Sequence, residues 1–281
     1  IVSEGYGMGV ACGDVNNDGW VDFAVVDEAQ DLGVAHLRFL LALAGGTEGP
    51  RPDALFFAGD TGQRIFQQPF SWKSIGVDVR GRSRTLRVNY RTSHQIRSQA
   101  DRLLGPSVSD ADGNVDERHD TVSVFNGPSP RIEVVSSPEL ERELVADALE
   151  AWIKCGIQVQ EIAVFVRSED QMPRALEALE QAKLPCQVLD DSMSLDAERV
   201  SVATMHLAKG LEFRAVVVMC CDDEVVPLQA RIESVGEDAD LKEVYETERH
   251  LLYVACTRAR DRLLLTAVSP ESEFLDDMRG R

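Results

Sequence analysis

Two adjacent carboxylates, Asp27 and Glu28, close the apolar run Val21-Asp22-Phe23-Ala24-Val25-Val26 and lead into Ala29-Gln30-Asp31. Such a pair at the carboxyl end of a strand suits magnesium-nucleotide chemistry. A hard cation prefers oxygen ligands, and a second acid can orient or deprotonate an attacking water. The plainer alternative is a helix start whose acids complement the helix dipole. Further along stand Gly59-Asp60-Thr61-Gly62-Gln63-Arg64-Ile65-Phe66 with Trp72, then Asn89-Tyr90-Arg91-Thr92-Ser93. Later come Thr204-Met205-His206-Leu207-Ala208-Lys209-Gly210-Leu211-Glu212-Phe213 and the run from Glu248 to Arg260, which holds Tyr253-Val254-Ala255-Cys256-Thr257-Arg258. Guanidinium forks match phosphate oxygens, and aromatic rings stack bases of any sequence for roughly 1 to 3 kcal/mol each.

A different chemistry is suggested near the amino terminus. Asp14, Asn16, Asp18 and Asp22 offer oxygen atoms at alternating positions, with Gly19 allowing a sharp turn, a pattern that can surround Ca²⁺. An EF-hand is disfavoured, because the twelfth position from Asp14 is Val25 rather than Glu. The competing reading is an Asx-rich turn without metal.

The elements that must position these residues alternate along the chain. Short runs rich in Val, Ile, Leu and Phe at 21–26, 54–58, 85–88, 131–135, 162–166, 186–189, 200–203, 215–219 and 263–267 read as buried strands. Apolar residues at three and four spacing mark helices at 34–43, 94–104, 139–154, 172–182 and 241–260. Alternation of this kind predicts an α/β chain with a mostly parallel sheet. The polar, turn-rich stretch 105–130 reads as a long surface loop.

Composition narrows the function classes. Of the 281 residues 44% are hydrophobic, enough for one large or two modest cores, and no apolar run approaches the roughly 20 residues a membrane-spanning helix needs. Acidic residues outnumber basic ones by 48 to 29, so a net charge of -19 argues against a surface that coats polyanions all over. Any nucleic-acid contact must be local. Arg80, Arg82, Arg84, Arg87, Arg91, Arg97 and Arg102 crowd one stretch with only Asp101 among them. The six cysteines form no CxxC pair, which suggests neither a zinc site nor a disulfide framework and fits a cytoplasmic protein. The chain begins at Ile1 without an initiator Met or secretory leader, the expectation being a fragment or processed product.

In order and wording, the segments beginning at Asp27, Gly59, Asn89, Thr204 and Glu248 resemble motifs II to VI of the UvrD/Rep-like superfamily one DNA helicases, over roughly residues 21 to 268. The resemblance implies a RecA-like P-loop NTPase architecture with a parallel sheet, in which one RecA-like domain is truncated and one complete. It divides the chain into a remnant of the first domain at 21–84, a second domain at 85–270 and a tail at 271–281. It also implies ATP and Mg²⁺ as cofactors and single-stranded DNA as partner. Asp27 would bind Mg²⁺, Glu28 would be the catalytic base, and Gln63 would sense the γ-phosphate. Arg91 and Arg258 would be arginine fingers, Gly210 and Glu212 would meet the nucleotide, with Glu212 at its ribose, and Phe66, Trp72, Thr204 and His206 would line the single-strand track. Phe66 and Trp72 could equally be core residues.

No lysine precedes Lys73, so a GxxxxGK[ST] phosphate loop cannot stand ahead of Asp27 in this chain. By itself the chain is therefore expected to be inactive, with a missing amino-terminal motor segment as its partner. Residues 1–20 look instead like one FG-GAP calcium repeat, too little to build a propeller. The competing functions are a non-catalytic binding module derived from a helicase and a calcium-binding propeller fragment fused to helicase sequence.

Overall fold

The computed structural model describes residues 10–14, 21–45, 53–60, 72–73, 76, 81–82, 84–105, 107–109, 115–117, 121–236 and 238–280. Two compact units emerge, one made of residues 1–85 with 107–117 and the other of 86–106 with 118–281. Among the described residues no helix is long and apolar enough to cross a membrane.

The first unit holds a three-stranded sheet of β1 (Val10–Gly13), β2 (Phe23–Val26) and β3 (Leu55–Phe57), with β2 central. Strand β2 runs antiparallel to β1 and parallel to β3, the parallel step being bridged by α1 (Val34–Gly45). Side chains alternate across β2, so Ala24 and Val26 are buried while Phe23 and Val25 face outward. Val26, Leu32, Leu37 and Leu40 form the core, and Trp72 packs against it. Strand β1, from the stretch read as an FG-GAP-like repeat, pairs with β2, with Gly13 opposite Phe23.

Beyond this sheet come β4 (Val88–Asn89), α2 (His94–Ala100), an antiparallel ribbon of β5 (Ser107–Ser109) and β6 (Val115–Glu117), and β7 (Val122–Ser123), which lies parallel to β4. Three short strands thus lie in the stretch expected as a loop. The expected strand at 85–88 is reduced to Val88–Asn89, and the expected helix at 94–104 ends at Ala100 and tightens into a 3-10 turn over Asp101–Leu103.

The second unit is built on β8 (Arg131–Val135), α3 (Pro138–Lys154), β9 (Ile162–Val166), α4 (Met172–Gln181), β10 (Cys186–Val188), β11 (Val200–Thr204), β12 (Phe213–Val218), α5 (Gln229–Glu233), α6 (Asp238–Thr257), β13 (Ala259–Val268) and α7 (Glu273–Arg279). Its strands form one six-stranded sheet in the order β10-β11-β9-β12-β13-β8, every neighbouring pair parallel. This is the parallel-sheet α/β architecture expected for a RecA-like domain. All five residues of β9 are buried, because a strand covered by helices on both faces has no solvent side to keep polar.

Helix α3 begins where sequence chemistry says it should. Ser137 Oγ accepts the Leu140 amide at 3.4 Å, Pro138 opens the first turn, and Glu139 and Glu141 lie within it. Its inward face carries Val145, Leu149 and Trp152, and it stops at Gly156, whose φ of 87° an L side chain rarely adopts. The expected helix at 241–260 ends at Thr257, and the strand already begins at Ala259. Helix α7 occupies the stretch expected as a tail, with Phe274, Leu275 and Met278 buried.

Glu141 is a polar side chain buried wholly inside this unit. Glu141 accepts hydrogen bonds from the Cys220 amide at 3.0 Å, from Thr266 Oγ1 at 2.7 Å and from Arg174 Nε at 3.1 Å, and Arg174 also reaches Asp222 at 2.5 Å. Removing the carboxylate would strand a half-buried guanidinium and two buried donors. Glu141→Ala is expected to lower unfolding free energy by about 3 to 5 kcal/mol in urea titrations, whereas Glu180→Ala, at an exposed position of α4, should stay within about 0.5 kcal/mol. Equal midpoints for the two variants would show that the buried network adds nothing to stability.

Candidate functional site

In the first unit the acidic pair stands at the carboxyl end of β2, where open α/β sheets place ligands. Asp27 is exposed, and one of its oxygens accepts the Glu28 amide at 2.9 Å. Its other oxygen has no partner among the described residues. A single carboxylate of this kind fits Mg²⁺, which takes one or two carboxylates and completes its shell with water and substrate phosphates. Glu28 follows with φ 53°, a left-handed conformation that a non-glycine residue holds only when its surroundings impose it.

The Glu28 side chain is held by Gln30, to which sequence reasoning gave no role. Its Nε2 donates to Glu28 Oε2 and its Oε1 accepts the Asp60 amide at 3.1 Å. Ala29 and Ala58 extend this link through backbone hydrogen bonds, Ala29 to Ala58 and Ala58 to Val26, both at 2.8 Å. Gly59 lies against Gln30, so that a Cβ there would displace the Gln30 amide oxygen from its place. The start of the Gly59 segment is thereby tied to the acidic pair.

Gln63 and Phe66 lie outside the described residues, as do Asn16 and Asp18 of the calcium pattern. Among the described residues no group of three or more His, Cys, Asp and Glu could hold a metal ion; Asp14 directly follows β1 and Asp22 directly precedes β2. Trp72 packs its ring 5.0 Å from that of Phe57, a core contact within the first unit.

The second unit brings Arg91, Gly210, Glu212 and Arg258 together. Arg91 Nη2 donates to the Leu211 carbonyl at 2.6 Å, and Arg258 Nη1 donates to the same oxygen at 3.4 Å. Gly210, with φ 81°, makes the turn that presents this carbonyl. Glu212 Oε2 lies 3.0 Å from Arg91 Nε, so its carboxylate faces a guanidinium group. Arg258 is 1% exposed and also donates from Nε to the Val254 carbonyl at 3.1 Å. Backbone links fix the arrangement: Ser93 N donates to Arg260 O at 3.0 Å, and Phe213 N to Arg258 O at 3.0 Å. Tyr90, another residue without an expected role, precedes Arg91 in the chain and is 74% exposed.

This cluster sits at the amino-terminal edge of the sheet, because Glu212 immediately precedes β12 and Arg258 immediately precedes β13. Thr204 is the last residue of β11 and His206 lies in the turn after it, at the opposite edge. Beside His206 lies a second charged cluster that sequence reasoning missed. Glu248, 1% exposed on α6, accepts Arg167 Nε and Nη2 at 2.6 and 2.5 Å, Arg231 Nη1 at 3.0 Å and the Leu228 amide at 3.2 Å. Burial alone would raise the Glu248 pKa, but the Arg167 hydrogen bonds and charge hold it below the ordinary carboxylate value. A carboxylate among the apolar residues of an amphipathic helix, and an arginine directly after five buried strand residues, were the available signals.

Comparison with known proteins agrees with the motif resemblance. Residues 189–270 match the family profile of the UvrD-like helicase C-terminal domain. A probable DNA helicase of Mycoplasma pneumoniae is 26% identical over 261 residues, covering 90% of this chain and 44% of that protein. The ATP-dependent DNA helicase UvrD1 of Mycobacterium leprae is 37% identical over 90 residues, 28% of this chain and 11% of that protein. Putative ATP-dependent DNA helicase YjcD of Bacillus subtilis is 41% identical over 73 residues, 25% of this chain and 9% of the relative. The chain thus spans less than half the length of these relatives. The C-terminal domain of a possible DNA helicase from Lactobacillus plantarum WCFS1 superposes with a TM-score of 0.47 at 24% identity, over 68% of this chain and 94% of that one. The homologues are DNA helicases of UvrD/Rep type, and the family profile that the chain matches is that of their C-terminal domain.

Burial, and then the Arg167 charge, lower the His206 pKa from its ordinary value of 6.5. A histidine whose folded pKa is depressed takes up fewer protons than the unfolded chain between the two values, so stability falls as pH drops below about 6.5. His206→Gln should therefore shrink the loss of stability between pH 7.5 and 5.5, read from urea midpoints. An unchanged pH dependence would mean that His206 ionises as freely as in the unfolded chain.

Proposed function

We propose that this chain is the carboxyl-terminal motor portion of a UvrD-like, ATP-dependent DNA helicase, which couples ATP hydrolysis to movement along single-stranded DNA when joined to a phosphate-binding segment. The convergence of Arg91 and Arg258 on one backbone carbonyl carries this reading. Two guanidinium groups pinned side by side are preorganised for negative charge, and preorganised charge is what phosphoryl transfer requires. A cytoplasmic location is consistent with an activity on DNA and ATP.

The roles follow from the chemistry of each group. Asp27 would hold Mg²⁺, which supplies charge neutralisation at the phosphates when bound. Glu28, fixed by Gln30, would take a proton from the attacking water. Gln63 is assigned to sensing the γ-phosphate by motif alone. Arg91 and Arg258 would stabilise charge on the transferring phosphoryl group. Gly210 presents the carbonyl that orients both, and the exposed ring of Tyr90 would give the nucleotide base a stacking face. Glu212, paired with Arg91, can accept hydrogen bonds from a ribose through its outer oxygen. Thr204 and His206, at the other sheet edge, are assigned to the DNA track, and Phe66 to base stacking by motif alone, the Trp72 ring being packed on Phe57.

The 281-residue chain by itself is expected to hydrolyse ATP at background, because it lacks the phosphate-cradling lysine and loop ahead of Asp27. Preceded by a segment that supplies them, it should show turnover stimulated by single-stranded DNA. In that protein Arg258→Ala should lower kcat on the order of 10³-fold with little change in nucleotide affinity. A loss confined to affinity would make Arg258 a ground-state contact, and turnover indifferent to DNA would overturn the helicase reading.

A further inference from the structure

The Glu248 cluster carries more positive than negative charge. Both carboxylate oxygens are saturated, each accepting two hydrogen bonds, from Arg167, Arg231 and the Leu228 amide. Arg167 is buried, its side chain only 3% exposed, and spends Nε and Nη2 on the carboxylate. Arg231 differs. Its side chain is 38% exposed, it uses Nη1 alone, and its Nε and Nη2 have no partner among the described residues. Two guanidinium groups on one carboxylate leave a net charge of +1, and the only exposed part of that charge is the outer side of Arg231.

Its neighbourhood gives that charge a use. His206 is close enough to Arg167, Arg231 and Glu248 for each to act on its protonation, and Thr204 ends the adjacent strand β11. Arg231 sits on α5, a helix of five residues held to the core through Leu228 and Arg231 on the same buried carboxylate. A long flexible side chain is thus fixed by a fully buried acid, with its remaining donors turned outward beside residues assigned to the DNA track. An arginine prepositioned in this way binds a phosphate with less ordering cost than a freely moving one.

We propose that Arg231, oriented by the buried Glu248 carboxylate, is a backbone-phosphate contact for single-stranded DNA passing Thr204 and His206. The assignment rests on the DNA-binding reading given above. It makes Arg231 a determinant of affinity rather than of sequence, since phosphate contacts position a strand without reading its bases. The acidic residues of α6, such as Glu243 and Glu246, oppose a polyanion at long range, but that repulsion is screened beyond about 8 Å at physiological ionic strength.

The test is fluorescence anisotropy of a labelled single-stranded oligonucleotide with the 281-residue chain across a salt series. Each phosphate neutralised contributes about 0.7 to the slope of log K against log salt. Arg231→Gln should reduce the slope by that amount, so that over a fourfold rise in salt the parent loses about 2.6-fold more affinity than the variant. Arg231→Lys should keep the parental slope, and Arg142→Gln, on α3, should leave both slope and affinity unchanged. In parallel, phenylglyoxal modification of the unaltered chain, mapped by mass spectrometry, should be slowed at Arg231 by the oligonucleotide; this arm needs no variant to fold. A parental slope in Arg231→Gln, or modification of Arg231 at the same rate with and without DNA, would overturn the contact while the DNA-binding reading stands. Failure of the parent chain to bind at any salt would remove both.

Discussion

The backbone carbonyl of Leu211 is the point on which the second unit's chemistry turns. A lone carbonyl can accept two hydrogen bonds, and here both come from guanidinium groups that arrive from distant parts of the chain, Arg91 after β4 and Arg258 before β13. The carbonyl orients both cations without adding a charge of its own, and Arg91 is in addition paired with the Glu212 carboxylate at 3.0 Å. The turn at Gly210 places the acceptor, and the hydrogen bonds of Ser93 and Phe213 to the backbone around Arg258 hold the three segments in register.

The parallel sheet explains why the unit has two chemically different edges. Every strand points the same way, so the residues that enter β12 and β13 gather at one edge and those that leave β9 and β11 gather at the other. Gly210, Glu212 and Arg258 belong to the first group, and Thr204, His206 and Arg167 to the second. Helix α6 spans the distance between them, carrying Glu248 near one edge and ending at Thr257 beside the other.

The sheet was legible because its central strands are short runs dominated by Val, Ala, Ile and Phe: 162–166 and 200–203 read as buried strands and are so. The ends of elements were less so. Nothing in the letters between Cys256 and Arg260 says that the helix must stop at Thr257, because the stop is set by Ala259 pairing with Phe213 of another strand. The candidate residues at the arginine cluster could be named from their motifs, yet the group that unites them is a main-chain oxygen with no letter of its own. The Glu248 cluster was hidden for another reason. Its ion pair joins positions 81 residues apart, and in the sequence Glu248 is one acid among the many of a strongly acidic stretch. Gln30 was hidden because its task is to bridge the Glu28 carboxylate and the Asp60 backbone 30 residues away, and the spacing of side chains gives no sign of it.

If a single carbonyl holds Arg91 and Arg258 as one charged unit, their contributions to turnover must be coupled. The direct measurement is a double-mutant cycle on kcat, with Arg91→Ala, Arg258→Ala and the double variant, in a protein where the chain follows a phosphate-binding segment. Residues that act as a unit are strongly non-additive. The double variant is expected to lose about as much as the worse single variant. Losses in log kcat that simply add would show two independent arginines and contradict the shared clamp at Leu211.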